Sequence, residues 1–296
     1  MERSAPRTST ARIEDQGEAG PCRARNAALR AARTPWVFLL DDDAFPAEDC
    51  LERLLEAAAA DPQAALVTPR VLRAEKPSLI HYDGGRAHFL AELCLENAYR
   101  PAAEAQAPDP CPAAVAGTAL LVHRERALQC GLFDEEMVFF REDLEFSLRL
   151  RAHGWTIRHC PAAVVLHGRP DGSRGVLHRR RTFYQTRNRW WVILKLWEAR
   201  TILLTLPVQA GYELVNLGLA LRRGELGQYA AAFADLLRRL PALWAARGRF
   251  QKTRCVPDRL LLGAPPLGWR PEVLALPLAR PLKRVLDAAC RSWWGR

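Results

Sequence analysis

Three consecutive acids follow a short apolar run and could hold a divalent metal ion. The run occupies residues 36–40, and Asp41, Asp42 and Asp43 come directly after it. Because side chains alternate along a strand, Asp41 and Asp43 would point to one side of its end and Asp42 to the other. Carboxylate oxygens suit Mg²⁺ or Mn²⁺, which also bind substrate phosphates. The run therefore predicts a metal site against a diphosphate, and an acidic surface turn is the alternative.

A second group of acids and one histidine follow downstream, in an order that suits metal-assisted group transfer. Glu142, Asp143 and Glu145 lie in the first turn of a predicted helix. The helix dipole stabilises a carboxylate there as the anion, whereas burial and a neighbouring acid raise its pKa. Such a group can act as a general base. The alternative is that these acids lie in the first helical turn without a catalytic role. His167 ends an apolar run, where a histidine taken alone is more often structural.

Strands and helices alternate along the first 170 residues, which predicts an α/β fold. The predicted helices cover residues 24–32, 47–60, 124–130 and 142–153, and the predicted strands cover 36–40, 64–68, 115–122, 155–159 and 163–167. Prolines between positions 101 and 112 favour one long loop over 70–112. Pro161 separates the last two predicted strands, and we expect the core to close at His167.

Composition favours one sizeable core with an added segment, since the chain has 296 residues and is 49% hydrophobic. The first twelve residues are rich in Ser, Thr, Arg and Pro, and we expect them to be disordered. The eight cysteines form no Cys-x-x-Cys pair and no metal-ligand spacing, and the N-terminus has no apolar signal-peptide core. These features are typical of reduced thiols in a cytosolic protein.

The two parts of the chain carry opposite charge. Residues 1–173 hold 20 basic and 26 acidic side chains, whereas residues 174–296 hold 23 basic and seven acidic ones. A basic segment can meet nucleic acid, anionic lipid or an acidic substrate. Nucleic acid is the least favoured of these, because phosphate-tracking surfaces are rarely as apolar as residues 190–221.

The window 201–221 contains a single charge, Glu213, and is long enough to cross a bilayer. Pro207, Gly211 and Glu213 argue against a clean spanning helix. Two arginines follow the window directly, and seven of the nine tryptophans lie between positions 190 and 294, as is typical of an interface. We predict a helix lying in the cytoplasmic leaflet, with a true span or a buried core helix as the alternatives.

Five segments resemble, in order, the inverting glycosyltransferases of family 2 with the GT-A fold. These segments cover residues 20–26, 38–44, 116–124, 131–143 and 161–167. The similarity extends over roughly residues 13 to 200. It implies a GT-A-like, Rossmann-like mixed sheet flanked by helices. It also implies transfer of a sugar from a nucleoside diphosphate sugar to an acceptor hydroxyl with inversion, assisted by Mg²⁺ or Mn²⁺.

The resemblance also implies roles for individual residues. Asp41 matches an acid near the nucleotide ribose, Asp43 and His167 match the metal site, and Asp143 matches the general base. The remaining expected contacts fall in two groups: Arg25, Asn26, Asp42 and Gly117 on the donor side, and Glu142 and Arg187 on the acceptor side.

Two of these expectations, those for Gly117 and Arg187, also have alternative explanations. Gly117 could let the backbone approach a sugar closely, or it could mark only a bulge. Arg187 lies in a segment similar to one in bacterial members that act on lipid-linked or cell-surface glycans, and it could pair with a phosphate. A surface or lipid-headgroup contact is an equal alternative for Arg187.

One departure from the family pattern concerns the start of the chain. Family members normally begin with a strand, a helix and a second strand that bind the base, and this sequence begins where that half should end. We therefore expect a disordered segment over 1–12, a partial GT-A-like domain over 13–175 and a basic, apolar helical region over 176–296. An inactive remnant that binds a membrane or a partner is the alternative function.

The expected setting follows from the same features. The donor would be a nucleoside diphosphate sugar and the acceptor a glycan or lipid-linked molecule of the cell envelope, with no role for nucleic acid. The protein would be cytoplasmic and peripherally associated with the inner face of the cell membrane.

Overall fold

A computed structural model of the protein describes residues 20–168, 180–268 and 279–295, so the predicted disorder over 1–12 lies outside the described residues. The strands are β1 (Trp36–Leu40), β2 (Ala44–Pro46), β3 (Ala64–Arg73), β4 (Lys76–Tyr82), β5 (Gly85–His88), β6 (Glu92–Leu95), β7 (Ala119–His123) and β8 (Thr156–His167). The α-helices are α1 (Gly20–Ala31), α2 (Cys50–Ala59), α3 (Arg124–Gln129), α4 (Glu142–Ala152), α5 (Arg181–Leu196), α6 (Ala199–Arg222), α7 (Leu226–Arg238), α8 (Leu240–Thr253), α9 (Asp258–Leu261) and α10 (Ala279–Trp294).

A mixed sheet forms the centre of the first part of the molecule, residues 20–168. Its strands run in the order β1-β7-β3-β8-β2, and β4 pairs with β3 outside that path. Strands β3 and β8 are parallel, whereas β1, β3 and β7 pair in antiparallel fashion. This architecture confirms the predicted α/β class, a mixed sheet flanked by helices.

Apolar side chains fill both faces of this sheet. One core combines Leu29 of α1 and Phe146 of α4 with Leu66 of the sheet. The opposite core combines Leu54 of α2 with Val67. Since neighbouring residues of a strand face opposite sides, Leu66 and Val67 serve the two cores in turn. The sheet is therefore fixed from both sides, which gives the strand ends a rigid base.

The predicted long loop over 70–112 is wrong in its first half. Strand β3 continues to Arg73, and β4, β5 and β6 follow before residue 96. Ile80 and Tyr82 are buried while His81 between them is partly exposed, which is the alternation of a strand with one covered face. The prolines that suggested a loop begin only at Pro101, after the last of these strands.

The two predicted strands around Pro161 form one strand, β8. The register between β3 and β8 shifts where Pro69 faces Cys160 and Arg70 faces Val164. The extra residues on β8 at this shift form a bulge that includes Pro161. A bulge tolerates proline because the residues in it do not need to donate a ladder hydrogen bond.

The core does not close at His167. Trp191 and Ile193 of α5 are buried in one cluster with Leu144 and Leu148 of α4. Helix α5 also packs against α7 and α8. The second part of the molecule, the helical residues 180–268 and 279–295, therefore packs against α4, the helix that carries Asp143.

Candidate functional site

Two aspartates and a histidine come together at the end of the sheet. Strand β1 ends at Leu40, and β2 pairs with β8 so that Ala44 lies opposite His167. This pairing brings the Asp41–Asp43 turn beside the end of β8. One ligand atom each of Asp41, Asp43 and His167 lies within 4.8 Å of the other two. Nε2 of His167 is 3.2 Å from Oδ1 of Asp43.

This triad fits a divalent cation by the chemistry of its donors. Two carboxylates and one imidazole nitrogen offer three ligand atoms, all from partly exposed side chains. Mg²⁺ and Mn²⁺ take such oxygen-rich sets and leave positions for water and phosphate oxygens. Asp42 between the two ligands is exposed and outside the triad, in agreement with the alternation predicted from the sequence.

Arg25 connects the triad to the second acidic group. Its Nη2 donates to Oδ1 of Asp41 at 2.8 Å and to the carbonyl of Gly117 at 3.1 Å, while Nη1 donates to Oε1 of Glu142 at 3.3 Å. Burial raises the pKa of Asp41, and the charge of Arg25 opposes that rise. One guanidinium thus lies between the candidate metal ligands and the acids at the start of α4.

Asp143 is held at the first turn of α4 by two backbone groups. Its Oδ2 accepts from the amide of Gly117 at 3.0 Å, and its Oδ1 accepts from the amide of Leu144 at 2.7 Å. Burial raises the pKa of Asp143, and its backbone hydrogen bonds oppose the shift. A carboxylate with a raised pKa is a stronger base than an ordinary aspartate, as proton abstraction from a hydroxyl requires.

Glu142 beside it is the less satisfied acid. Burial and the charge of Asp143 raise the pKa of Glu142 to about 7. Its Oε2 is buried without a hydrogen-bond partner among the described residues. Unpaired buried oxygens are uncommon in native structures and often mark functional sites.

Gly117 makes room for Arg25. A Cβ at this position would lie 2.9 Å from Nη1 of Arg25, too close for the present contact. The glycine also supplies both of its backbone groups, its carbonyl to Arg25 and its amide to Asp143. Its observed role is therefore to join these two side chains.

Two residues predicted from the resemblance have contacts that do not fit the expected role. Asn26 is 1% exposed, and its amide bonds both backbone groups of Phe133 and the carboxylate of Glu135. It therefore fixes a loop instead of reaching a donor. Arg187 is 3% exposed and faces Asp235 of α7 at 3.7 Å, so a buried guanidinium replaces the expected acceptor contact.

Sequence reasoning missed two residues that support the site. His81 of β4 lies with its Nδ1 2.9 Å from Nδ1 of His167. Asn188 of α5 donates to the carbonyls of Met137, Phe139 and Phe140. Two features of the sequence could have identified these residues. His81 lies between the apolar residues Ile80 and Tyr82, as in a strand, and Asn188 follows Arg187 directly.

Asn188 holds a strained segment that leads directly to α4. Val138, Phe140 and Arg141 have φ values of 57°, 66° and 67°. Side chains other than glycine rarely adopt this left-handed region, and a β-branched valine least of all. The hydrogen bonds of Asn188 supply the partners that keep the backbone in this form, so α4 begins at a fixed position.

The sheet and its strand-end acids define the chain as a GT-A-like α/β protein. Residues 1–191 match the sequence profile of the family described as Glycosyltransferase like family 2, and the chain belongs to that family.

Relatives and a solved structure agree with this assignment. An N-acetylglucosaminyl-diphospho-decaprenol L-rhamnosyltransferase from Mycobacterium tuberculosis is 28% identical over 186 residues, 56% of this chain and 60% of the relative. A pre-mycofactocin glycosyltransferase from the same species is 33% identical over 167 residues, 56% of this chain and 33% of the relative. The chain thus spans 60% or less of these relatives. A crystal structure of GalNAc-T7 with UDP, GalNAc and Mn²⁺ shares the fold with a TM-score of 0.50 at 17% identity, over 67% of this chain and 39% of that one.

Proposed function

We propose that this protein transfers a sugar from a nucleoside diphosphate sugar to an acceptor hydroxyl with inversion, using Mg²⁺ or Mn²⁺. The observation that carries the proposal is the convergence of Asp41, Asp43 and His167, joined through Arg25 to the Glu142–Asp143 pair. Inversion by one displacement needs charge neutralisation on the leaving side and a base on the acceptor side. The two acidic groups supply these two functions.

On the donor side, Asp43 and His167 would hold the cation, and Asp41 would share in holding it or contact the ribose. The bound cation would neutralise charge on the departing diphosphate. Arg25 fixes the Asp41 carboxylate in place at 2.8 Å. Asp42 is exposed beside the triad and remains a proposed donor contact.

On the acceptor side, Asp143 would take the proton of the attacking hydroxyl. The amides of Gly117 and Leu144 orient its carboxylate. Glu142 pairs with Arg25 at 3.3 Å, and the charge of Asp143 adds to the rise in the pKa of Glu142. We place Asn26 and Arg187 outside the donor and acceptor contacts, because both side chains are buried with partners inside the protein.

We propose a lipid-linked or cell-envelope glycan as the acceptor. The rhamnosyltransferase relative is named for a diphospho-decaprenol acceptor, a long-chain lipid. A protein acting on such a molecule must work where the lipid is anchored. The second part of this molecule offers a surface suited to that place.

Helix α6 turns its polar side chains inward. Gln209 is buried, donates to the carbonyl of Phe89 and accepts from Arg189. Glu213 accepts from Arg189, from Nε1 of Trp190 and from the hydroxyl of Tyr229. These bonds tie α6 along its length to neighbouring helices and to the segment after β5.

The outer face of α6 is apolar and exposed. Leu203 and Leu214 are each 70% exposed, and Leu204, Leu206 and Leu221 are also exposed. By length and composition α6 could cross a membrane. Its inward polar bonds favour a helix that stays on the protein and lies parallel to the membrane surface.

Basic side chains flank this apolar face. Arg200 precedes it and Arg222 and Arg223 follow it, all three exposed. Cationic flanks add electrostatic attraction to anionic headgroups. We therefore propose peripheral association with the cytoplasmic face of the cell membrane.

Donor turnover tests the proposed reaction. The purified protein, incubated with individual nucleoside diphosphate sugars and Mn²⁺, should release nucleoside diphosphate, and EDTA should stop the release. Asp143→Asn should lower release by about 10²- to 10³-fold, while Asp49→Ala, which changes an exposed acid beside α2, should not. Robust binding to liposomes without any donor binding would instead support a non-catalytic membrane-binding protein.

A further inference from the structure

A second histidine lies behind the candidate metal ligand His167. His81 projects from β4, and the Nδ1 atoms of the two rings are 2.9 Å apart. The ring planes differ by only 17°, and their centroids are 4.8 Å apart. A nitrogen-to-nitrogen distance of 2.9 Å is that of a hydrogen bond. Either ring can be the donor of this bond, depending on the two tautomers.

The position of the proton in this bond depends on what the far side of His167 does. Nε2 of His167 lies 3.2 Å from the Asp43 carboxylate. With a proton on Nε2 facing Asp43, Nδ1 of His167 would accept a hydrogen bond from Nδ1 of His81. A metal bond at Nε2 needs its lone pair, so the ring proton must then be on Nδ1.

We propose that His81 is a positioning residue that lets His167 change tautomer when the cation binds. The proton between the rings moves from Nδ1 of His81 to Nδ1 of His167, so that Nδ1 of His81 now accepts the hydrogen bond; the Nε2 proton of His167 leaves to solvent, and Nε2 of His81 takes one from solvent. One proton leaves Nε2 of His167 and one arrives on Nε2 of His81, so neither ring changes charge. The proposal rests on the proposed metal site and adds a residue to it.

Two features of the fold favour this role over chance proximity. His81 follows the alternation of β4, in which Ile80 and Tyr82 point into the core, so its direction is fixed by the strand. His167 is fixed in the same way by the pairing of β8 with β2 and β3. Partners of this kind orient ligating histidines in metal sites, and their loss commonly costs 10- to 100-fold in metal affinity.

Mn²⁺ affinity, measured by electron paramagnetic resonance titration of the full chain, separates the variants. His81→Phe keeps a planar ring without a nitrogen, and we expect affinity to fall by about 10- to 100-fold. His81→Asn places an oxygen and an amide near the position of Nδ1 and should recover most of the affinity. His123→Phe, on β7 against Trp36, is the matched control and should bind like the wild type.

The ring tautomers provide a readout that a structural role would not move. Long-range proton–nitrogen spectra of histidine-labelled wild-type protein should show His167 protonated at Nε2 without metal. With Mg²⁺, the proton of His167 should be on Nδ1 and that of His81 on Nε2. This measurement needs no variant, so it stands even where His81→Phe fails to fold.

The outcomes distinguish this inference from the proposed function. If Asp43→Ala and His167→Ala lose Mn²⁺ binding but His81→Phe does not, the role of His81 is wrong and the metal site stands. An Nδ1 of His167 that stays unprotonated with Mg²⁺ bound overturns the inference as well. If Asp43→Ala binds Mn²⁺ normally, the metal site itself is wrong.

Discussion

Two glutamates of this protein show how differently its two parts use buried acids. Glu142 at the start of α4 has, among the described residues, one ion pair, to Arg25 at 3.3 Å, and a buried oxygen without a hydrogen-bond partner. Glu213 on α6 accepts hydrogen bonds from Arg189, Trp190 and Tyr229. Glu142 is therefore buried where its charge is destabilised, whereas the hydrogen bonds of Glu213 join α6 to α5 and α7.

The difference extends to the surfaces of the two parts. In the first part, the partly exposed Asp41 and Asp43 converge with His167 at the candidate metal site, and burial raises the pKa values of Asp41 and Asp143. On α6, polar groups are turned inward and leucines outward. Acids with raised pKa values beside a candidate cation site suit binding and chemistry, whereas an apolar outer face suits attachment to lipid.

Removing a proposed metal ligand should have the largest effect. Asp43→Ala should lower kcat/KM by on the order of 10³-fold, since a cation contributes several kcal/mol to stabilising the leaving diphosphate. Nucleoside diphosphate release at several Mn²⁺ concentrations measures this. Asp49→Ala is the control. If the two variants were equally active, Asp43 would not be a metal ligand and the proposed contrast between the two parts would fail.

Removing the proposed base should lower kcat by about 10²- to 10³-fold and leave Mn²⁺ affinity unchanged, because a general base acts on the acceptor. Asp143→Asn keeps the size of the side chain. In the wild type, kcat/KM should rise with pH, because only the ionised base accepts a proton and the pKa of Asp143 is raised. An acid limb at the pH of an ordinary aspartate would contradict the raised pKa.

Placing charges on the outer face of α6 should weaken attachment to lipid. We expect Leu203→Glu, Leu206→Glu and Leu214→Glu together to lower partitioning onto anionic vesicles by on the order of 10²-fold, because three exposed apolar side chains are lost. Sedimentation with vesicles measures the change. The matched control carries Leu51→Glu, Leu55→Glu and Leu128→Glu, exposed leucines of the first part.

A result in which both triple variants sediment like the wild type would contradict the role of α6. Neutral vesicles give a second arm, because the flanking arginines should favour anionic lipid and high salt should weaken that preference.

The smallest effect concerns the two glutamates and the stability of the fold. The folded pKa of Glu142 is about 7 against an ordinary 4.5, so the native state holds its proton more tightly than the unfolded state. The stability that this gives is complete below pH 4.5 and is lost as pH rises through 7. At pH 8, Glu142→Gln should therefore stabilise the protein by about 3 kcal/mol.

Glu213→Gln should change stability in the opposite direction, because it removes the charge from three hydrogen bonds and leaves Arg189 buried without its anion. Chemical denaturation at pH 5 and pH 8 measures both variants. A destabilising Glu142→Gln at pH 8 would show that the two acids do not differ as the structure indicates.

Sequence reasoning could predict the parts of the site that depend on local pattern. Strand β1 and the acids after it follow from an apolar run and three aspartates, and the structure places β1 at the predicted residues. Helix α4 begins at the predicted Glu142. In both places one short segment determines both the element and the side chains that it carries.

Contacts between distant segments could not be predicted in the same way. His81 meets His167 only because β4 and β8 both pair with β3, and the pairing of β4 was hidden by the predicted loop. Asn26 and Arg187 were assigned from residue type within a resemblance. Their burial depends on the packing of α1 against the 133–135 loop and of α5 against α7, which the local sequence does not specify.

The most direct test of the account is the position of a manganese ion in crystals of this protein grown with MnCl₂ and a nucleoside diphosphate. Anomalous diffraction should place one ion within bonding distance of Asp43 and of Nε2 of His167, with Asp143 on the other side of Arg25. An ion bound elsewhere, with Asp43 and His167 still paired to each other, would contradict the proposed centre.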